Sequence, residues 1–300
     1  MNIFIIGKVW PEPASSAAGS RMMQLMEVLL KEGGHELHFG SAAAHSPYSM
    51  NPADVGIESH ALQMNDPSFD TLIAELQPDA VIYDRFMTEE EFGWRVQEQC
   101  PDALTILNTE DLHFLRAARK DNPSNPNFHR DETWRELAAM YRCDLNLIIS
   151  EAEMDLLQEE FKFDAARIHY LPLLFDTGSI QTHKLPYFED RQGFFTIGNM
   201  KHEPNRDSIV YLKAEIWPLI RRELEDATMH VYGAYMPESM MQLHDEKEGF
   251  LIHGRAPSSE GIMKEHRVLL APLRFGAGLK GKLLEAMRFG TPSVTTTIGA

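Results

Sequence analysis

The sequence predicts an α/β protein of two doubly wound domains, each with a parallel sheet covered by helices on both faces. Short apolar, β-branched runs alternate with amphipathic helical runs along the whole chain, which is the pattern of such sheets. A polar stretch without periodicity, DTGSIQTHKLPYFEDRQG, separates two such series. The length of 300 residues also fits two domains, because domains usually run about 100–200 residues. We therefore predict an N-terminal domain over 1–177, a linker over 178–193 and a C-terminal domain over 194–300.

In the first series, short apolar runs mark the strands and runs with a helical period mark the helices. The predicted strands are NIFIIG, HELHFG, DAVIYD, ALTILN, LNLIIS and RIHYLPL. The predicted helices are SRMMQLMEVLLKEGG, TEEEFGWRVQEQC, DETWRELAAMYRC and EAEMDLLQEEF. Ser20 is the predicted N-cap of the first helix. Two pairs, Thr88 with Glu91 and Ser150 with Glu153, have the spacing of capping boxes.

The second series repeats the pattern after the linker. Its predicted strands are FFTIG, MHVYG, FLIHG, RVLLAP and SVTTTIG, and its predicted helices are NRDSIVYLKAEIWPLIRREL, PESMMQLHD, SEGIMKEH and KGKLLEAMRFG. The chain stops at Ala300 directly after a predicted strand, so we expect an incomplete C-terminal domain. Ligands of doubly wound domains bind beyond the carboxyl ends of the strands. The predicted binding site is therefore the cleft between the two domains.

The composition excludes several classes of partner. The chain has 28 Lys plus Arg against 45 Asp plus Glu, a formal net charge of −17, whereas nucleic acids and anionic membranes attract basic surfaces. Cys100 and Cys143 form no metal-like or redox pair and predict buried thiols in a reducing compartment. The start MNIFIIGKVW lacks a basic region before its apolar run, and no apolar stretch approaches the roughly 20 residues of a membrane span. We predict a cytoplasmic protein with at most peripheral membrane contact.

The stretch RFGAGLKGKLLEAM concentrates glycine and positive charge between a predicted strand and a predicted helix. Such a loop presents backbone N–H groups where the helix dipole is positive, and its glycines let a ligand approach closely. This predicts a phosphate or diphosphate site, with Glu285 accepting from sugar or ribose hydroxyls. A tight turn followed by a surface Lys282–Glu285 pair is the open alternative. The candidate residues of this loop are Arg274, Gly276, Gly278, Lys280, Lys282 and Glu285.

Other candidates follow the ends of predicted strands. Lys201 follows FFTIG, where it is expected to reach the diphosphate, and Arg85 follows DAVIYD, where it is expected to face the cleft or the acceptor. Asp111 and His113 follow ALTILN. The alternative for that last pair is structural, with Asp111 capping the next helix and His113 a polar residue whose hydrogen bonds are satisfied.

The stretch PLRFGAGLKGKLLEAMRFGTPSVTTTIGA resembles the donor-binding segment of family 4 glycosyltransferases, which have the GT-B fold of two Rossmann-like domains. That family often has the form Gly-x-Gly-x-Lys-x-Lys-x-x-Glu-Ala followed by Gly-x-Pro-x-Val. WPEPASSAAGSRMMQLMEVLLKEGGHELHF resembles the family's first β-α-β unit, LNTEDLHFLRAAR resembles its acidic-x-His segment, and FFTIGNMKHEPNRDSIVYLKAEIWPLI resembles the start of its second domain. The residues that match the C-terminal form are Gly276, Gly278, Lys280, Lys282, Glu285, Ala286, Gly290, Pro292 and Val294.

The resemblance implies transfer of a sugar from a nucleoside-diphosphate sugar to an unknown glycan, lipid or small-molecule acceptor, generally with retention of configuration. It implies no cofactor and no metal. It assigns His113, Asp111 and Lys280 to the catalytic site, and it places Gly19 and Arg21 against the diphosphate. For Gly19 and Arg21 a turn and an ordinary surface arginine are the structural alternative.

One position departs from the family form. Many members carry two glutamates separated by seven residues, and Ala277 stands at the first of these positions, with Glu285 at the second. The departure keeps two alternatives open. One is a non-catalytic sugar-nucleotide-binding module, and the other is a second GT-B enzyme such as a sugar-nucleotide epimerase. A phosphorylase would need a cofactor-holding lysine in a longer chain.

Overall fold

The N-terminal part of the chain forms a parallel sheet of seven strands. The computed structural model describes residues 1–175 and 185–300. In the first of these ranges the strand order is β3-β2-β1-β4-β5-β6-β7. The strands are β1 Asn2–Gly7, β2 Glu36–Ser41, β3 Glu58–Ala61, β4 Ala80–Asp84, β5 Leu104–Asn108, β6 Leu145–Ile148 and β7 Ile168–Tyr170. The helices are α1 Ala17–Lys31, α2 Ser68–Leu76, α3 Phe86–Gln99, α4 His113–Asp121, α5 Asp131–Arg142 and α6 Glu151–Glu159. We call this part the N-terminal unit.

Residues 185–300, the C-terminal unit, build a second parallel sheet, with the order β10-β9-β8-β11-β12. Its strands are β8 Gln192–Ile197, β9 Met229–Tyr232, β10 Phe250–Gly254, β11 His266–Ala271 and β12 Ser293–Thr295. Its helices are α7 Glu203–Tyr211, α8 Trp217–Glu223, α9 Glu238–Met241, α10 Ser259–Glu265 and α11 Gly281–Arg288. The predicted fold class, two doubly wound α/β sheets, is confirmed.

Apolar residues cover both faces of each sheet, as the near-continuous apolar runs of the strands require. In β1, Ile3 and Ile5 pack in one core cluster together with residues of α1, whereas Phe4 and Ile6 pack in a second cluster on the opposite face. Successive side chains of a strand point to opposite faces. The C-terminal sheet is covered in the same way by two further clusters. No helix within the described ranges is long and apolar enough to cross a membrane.

Two predicted helix starts are wrong. Helix α1 begins at Ala17, and its N-cap is Ser16, whose side chain accepts from the Gly19 N–H, so Ser20 lies inside the helix. Helix α3 begins at Phe86 with no side-chain cap, and the Thr88 hydroxyl donates to the Asp84 carbonyl at 2.8 Å. In both cases the helix extends further towards its N-terminus than the apolar pattern indicated.

The prediction also missed elements and misjudged one helix. Strand β3 and helices α2 and α4 were not predicted. The long helix predicted over NRDSIVYLKAEIWPLIRREL is divided into α7 and α8 by a π-helical turn at Leu212–Ile216. Part of the predicted linker, 178–184, lies outside the described residues, and β8 begins at Gln192, inside the remainder. The domain boundaries themselves stay a prediction.

Strand order fixes where a ligand can bind. In the N-terminal sheet the order reverses at β1 and β4, and in the C-terminal sheet it reverses at β8 and β11. Doubly wound sheets bind ligands beyond the carboxyl ends of strands at such reversals. This rule places a ligand beside the segments that follow β1 and β4 in one sheet and β8 and β11 in the other.

Candidate functional site

The carboxyl-end loops of the two sheets contact each other, and the candidate site lies at this junction. Arg119 donates to the Gly276 carbonyl at 3.0 Å, and the Tyr235 hydroxyl donates to Glu12 at 2.7 Å. Each of these hydrogen bonds joins one unit to the other. We call the region the junction site, and we define it by the glycine loop, residues 274–282, and by the facing segments 108–113 and 149–153.

The glycine loop needs glycine at Gly278 for two reasons. This residue has φ +64°, a backbone conformation that side chains disfavour. A Cβ added there would lie 2.8 Å from the Cβ of Asp111, so the loop backbone approaches the N-terminal unit more closely than any side chain permits. The Lys280 ammonium holds the loop from its other side and donates to the carbonyls of Ala277 at 2.8 Å and Gly278 at 2.7 Å.

Two helix N-termini meet beside this loop. Helix α11 begins at Gly281 and helix α1 begins at Ala17. A Cβ added to Gly281 would lie 2.8 Å from the Cβ of Ala17. Each helix N-terminus carries a partial positive charge, so the junction combines two positive helix ends with the lysines of the glycine loop. This arrangement favours an anion.

A carboxylate of the chain itself already uses one N–H group of the glycine loop. Glu153, at the start of α6, accepts from the Gly278 N–H at 2.8 Å and from the Leu112 N–H at 3.1 Å. Its side chain is 1% exposed, and its second oxygen has no hydrogen-bond partner among the described residues. Burial raises the pKa of Glu153 to about 7, against the opposing effect of the two backbone donors and Lys280.

The pair of Ser150 and Glu153 is thus only half of the predicted capping box. The Ser150 hydroxyl accepts from the Glu153 N–H at 3.2 Å, as predicted. The Glu153 carboxylate does not fold back onto Ser150 and instead reaches the other unit. Sequence reasoning did not identify Glu153 as a site residue, because its partner Gly278 is 125 positions away in the chain.

The two lysines of the glycine loop are half-buried, and their pKa values are lowered. Burial lowers the pKa of Lys280 to about 8, although Asp111 and Glu153 oppose the shift. Burial also lowers the pKa of Lys282 to about 8, and the neighbouring Lys280 lowers it further. The Lys282 ammonium donates to the Asn205 side chain at 2.8 Å. An anionic ligand would raise the pKa values of both lysines again, because a nearby negative charge favours the protonated amine.

Asp111 and His113 lie together opposite the glycine loop. His113 Nε2 is 3.5 Å from Asp111 Oδ1, and Arg116 forms an ion pair with the other Asp111 oxygen. Burial alone would raise the pKa of Asp111, but the Arg116 charge outweighs it and holds this pKa well below its usual range. Burial lowers the pKa of His113 to about 3. His113 is therefore a neutral imidazole at physiological pH, suited to hydrogen bonding.

The structural alternative for Asp111 is wrong, because α4 begins at His113 with Leu112 as a cap that makes no side-chain bond. The first N–H groups of α4 are satisfied from another helix. Glu136 of α5 accepts from the N–H of His113 at 3.1 Å and of Phe114 at 2.8 Å. The side chains of Asp111 and His113 are consequently not used for capping.

Gly19 and Arg21 have structural partners in this conformation. The Gly19 N–H donates to Ser16 at 3.0 Å, and a Cβ at Gly19 would lie 2.4 Å from the Glu12 backbone. Arg21 is 2% exposed. Its guanidinium donates to Asn108, to Glu110 at 3.2 Å and to the Leu171 carbonyl at 2.8 Å. The expectation of an ordinary surface arginine is wrong, and a diphosphate contact for either residue stays a prediction.

Arg85 stands between β4 and α3 and has φ +74°, a backbone conformation that is uncommon for a residue with a side chain. Its Nε lies 3.9 Å from Asp84 Oδ1. Burial alone would lower the pKa of Arg85, but the charges of Asp84, Glu110 and Asp111 outweigh it and raise that pKa. Arg85 thus lies among the acidic side chains next to the junction site, and its role facing the cleft or the acceptor stays a prediction.

The remaining predicted residues lie towards the edges of the site. The Lys201 ammonium is 3.6 Å from the centre of the Tyr235 ring. Glu285 accepts from the Ser259 hydroxyl at 3.3 Å, and burial raises its pKa. The structure does not bring Arg274 to the lysine pair, because its guanidinium binds Asp207 of α7.

Ala277 packs against the apolar core of the N-terminal unit and is 7% exposed. A glutamate there would bury its carboxylate among apolar side chains, which is costly without a partner. The absence of the first family glutamate therefore has a packing reason. The carboxylate that contacts the loop backbone at Gly278 is that of Glu153, from α6.

The fold is a two-sheet α/β architecture similar to that of GT-B proteins. A family model described as glycosyl transferases group 1 matches residues 191–300. The match covers less than half of the chain, so the likeness to group 1 glycosyltransferases is carried by the C-terminal unit. A comparison with curated proteins finds no match.

Solved structures share this two-sheet fold. The sucrose-phosphate synthase of Thermosynechococcus elongatus superposes with a TM-score of 0.73 at 14% identity, over 100% of this chain and 82% of that one. WaaG, a glycosyltransferase involved in lipopolysaccharide biosynthesis, gives 0.65 at 14% identity, over 100% and 82%. HepE of Anabaena, in complex with UDP and glucose, gives 0.68 at 11% identity, over 99% and 81%. At these identities the likeness concerns the fold.

Proposed function

We propose that this protein transfers a sugar from a nucleoside-diphosphate sugar to an acceptor, and that the donor diphosphate binds at the glycine loop. The observation that carries the proposal is the hydrogen bond from the Gly278 N–H to the Glu153 carboxylate. It supports an oxyanion position on the loop, between two helix N-termini and beside two half-buried lysines. A phosphate oxygen has the same acceptor chemistry and more charge.

The proposed chemistry follows from what the junction site can stabilise. When the bond between sugar and diphosphate breaks, negative charge develops on the leaving oxygen. Lys282, with Lys280 holding the loop in shape, and the N-terminus of α11 would stabilise that charge, and donors fixed before the reaction need no reorganisation. His113, as a neutral imidazole, would donate a hydrogen bond to the sugar or the diphosphate. Arg85 and the acidic side chains around it would face the acceptor.

In this proposal the diphosphate takes the Gly278 N–H from Glu153. The carboxylate must then rotate away or become protonated, since two anions 3–4 Å apart repel by about 4 kcal/mol at an effective dielectric constant of 20. With a pKa of about 7, Glu153 can accept a proton near neutral pH. Donor binding would thus be coupled to uptake of one proton at Glu153.

Retention of configuration and independence of metal are proposed on the family resemblance. Uridine donors are the first to test, because HepE of similar fold was solved with UDP and glucose. The C-terminal unit, which matches the family model, would hold the nucleotide with Glu285. The acceptor class stays open between glycan, lipid and small molecule.

The first experiment is a thermal-shift screen with UDP, GDP, ADP and their common sugar conjugates, since a ligand of the folded state raises the melting temperature. The preferred donor is then incubated with acceptor candidates, and release of diphosphate and the product stereochemistry are measured. Lys282→Ala is the site variant and Lys247→Ala, at an exposed position, is the matched control. We expect binding and turnover to be weakened in Lys282→Ala and unchanged in Lys247→Ala.

The same assay separates the alternatives. A non-catalytic module would bind the nucleotide sugar without releasing diphosphate under any acceptor condition. An epimerase would release free nucleotide or an altered sugar without an acceptor. Equal melting shifts for Lys282→Ala and the wild type would contradict the assignment of the glycine loop.

A further inference from the structure

A second group of polar side chains lies near the β3 edge of the N-terminal sheet and is separate from the junction site. His38 is in β2, and Glu58 and His60 are in β3, the edge strand. The parallel register pairs His38 with Glu58 and Gly40 with His60. Residues paired in register, and residues two apart on one strand, point to the same face. The pleat therefore brings all three side chains together, on strands that β1 and β4 separate from β5 and β6.

The distances within the group match those between the ligands of a tetrahedral metal. His38 Nδ1 lies 3.2 Å from His60 Nε2 and 3.5 Å from a Glu58 carboxylate oxygen. His60 Nε2 lies 3.9 Å from the other Glu58 oxygen. Zinc binds His nitrogen and carboxylate oxygen at about 2.0–2.2 Å, which places tetrahedral ligand atoms roughly 3.3–3.5 Å apart. A hydrogen bond between the two imidazoles accounts for the first distance, and the Glu58 carboxylate faces both rings from the third corner of the group.

Both imidazoles are oriented by their surroundings. Glu36 Oε1 lies 3.8 Å from His38 Nε2, on the far side of that ring from Glu58. A carboxylate at the second ring nitrogen is the usual partner of a metal-binding histidine. The His60 ring meets Phe4 edge to face at 5.9 Å between centroids. The side chains of His38 and His60 are only 4% and 14% exposed, so little freedom is lost when a metal binds.

We propose that His38, Glu58 and His60 bind one zinc ion at the edge of the N-terminal sheet. Within residues 1–175 and 185–300, theirs is the group of His, Cys, Asp and Glu whose ligand atoms all lie within 4.8 Å of one another. Two nitrogens and one oxygen suit Zn²⁺, whereas Mg²⁺ and Ca²⁺ prefer sets of oxygens. Glu58 is 65% exposed, so a water can complete the tetrahedron from the solvent side. The ion would tie the four-residue edge strand β3 to β2, independently of the proposed transferase activity.

The test uses the full chain without a histidine tag, loaded with Zn²⁺ and dialysed. Metal content by mass spectrometry, the affinity by calorimetry and the visible spectrum of the Co²⁺ form are measured. We expect one Zn²⁺ per chain, a tetrahedral Co²⁺ spectrum, a raised melting temperature and no competition from Mg²⁺. Glu58→Gln, at an exposed position that does not threaten folding, and His60→Gln should each weaken Zn²⁺ binding by at least about tenfold, since even outer partners of a metal site contribute that much.

His253→Gln is the matched control. His253 Nε2 also contacts another imidazole, His230 Nδ1, at 2.9 Å, but it lies on β10 in the C-terminal unit. This variant should keep the bound zinc. Absence of stoichiometric zinc in the wild type would overturn the proposal. So would zinc binding that Glu58→Gln and His60→Gln leave unchanged, or zinc that is lost only from His253→Gln.

Discussion

Replacing Glu153 by Gln should tighten the binding of the donor diphosphate, because it removes the carboxylate that competes for the Gly278 N–H. The amide oxygen of Gln can still accept from Gly278 and Leu112 in the free protein, so the loop keeps its shape. What disappears is the negative charge beside the position where phosphate is proposed to bind. The substitution therefore separates charge from geometry.

The magnitude follows from the raised pKa of Glu153. If the diphosphate binds only when this carboxyl is protonated, the apparent Kd of the wild type rises by a factor of 1 + 10^(pH − pKa). With a pKa of about 7, that factor is about 10 at pH 8 and close to 1 at pH 6. Glu153→Gln should then bind the diphosphate about tenfold more tightly than the wild type at pH 8 and about equally at pH 6.

The assay is calorimetric titration of the preferred diphosphate at pH 6, 7 and 8. Glu151→Gln is the matched control, since it removes a carboxylate from the same first helical turn at an exposed position, and it should behave like the wild type. The reasoning is refuted if Glu153→Gln shows the wild-type affinity at pH 8, or if it binds more weakly at every pH. Either result would mean that Glu153 and the diphosphate do not share the Gly278 N–H.

The Glu153 carboxyl should also make the free energy of unfolding depend on pH. Its pKa in the folded protein, about 7, lies above the ordinary value of 4.5, so its contribution is fully present below about pH 4.5 and is lost as the pH rises through 7. The loss amounts to roughly 3 kcal/mol at pH 8, at about 1.4 kcal/mol for each pH unit. Glu153→Gln should therefore show a flatter melting temperature between pH 5 and 8 than the wild type.

Three further outcomes are expected from other contacts. Lys282→Ala should weaken diphosphate binding about 10- to 100-fold in calorimetric titration, since a charge-assisted hydrogen bond contributes about 1.5–3 kcal/mol; an unchanged Kd would exclude Lys282 from the site. Gly278→Ala should destabilise the fold in denaturant titration by about 1–3 kcal/mol more than Gly33→Ala, because both have positive φ but only Gly278 has no room for a Cβ; equal losses would show that the junction site opens freely. Arg142→Ala should lower the free energy of unfolding by about 2 kcal/mol, because it leaves the Glu89 carboxylate, 4% exposed, without its ion pair; a loss below about 0.5 kcal/mol would show that water replaces the partner.

The fold could be predicted from the sequence wherever an element carries its own apolar pattern. Strands β1 and β4 contain continuous apolar runs, whereas β5 and β6 are mainly apolar but interrupted by Thr105 and Asn146; the structure confirms all four. Strand β3 reads ESHA and lies at a sheet edge, where little apolar surface is buried, so no pattern marks it. Helix α4 has no local cap, because Glu136 of another helix satisfies its first N–H groups. The interaction that replaces the cap forms only when α4 and α5 pack together, so the sequence around α4 does not show it.

In the candidate site, too, local sequence motifs could be predicted, whereas residues placed by long-range contacts could not. The glycine loop is a local motif, and its strand-to-helix position was predicted correctly. Glu153 and the three-residue group around His38 could not be found, since each depends on contacts between strands or units. The sequence pattern for Glu153 even suggested a different partner, the backbone of Ser150, because a capping box is local and the competing Gly278 N–H is not.

The meeting of the α1 and α11 N-termini, at Ala17 and Gly281, has a mechanical consequence. Like partial charges repel, so in the absence of an anion the two helix ends disfavour the close contact between the units at low salt. A diphosphate bound between them would attract both positive helix ends. It would therefore stabilise the arrangement in which the two units are in contact. Small-angle scattering should show a larger radius of gyration for the free protein at low salt than for the diphosphate complex, and equal radii would show that the units stay shut by their other contacts.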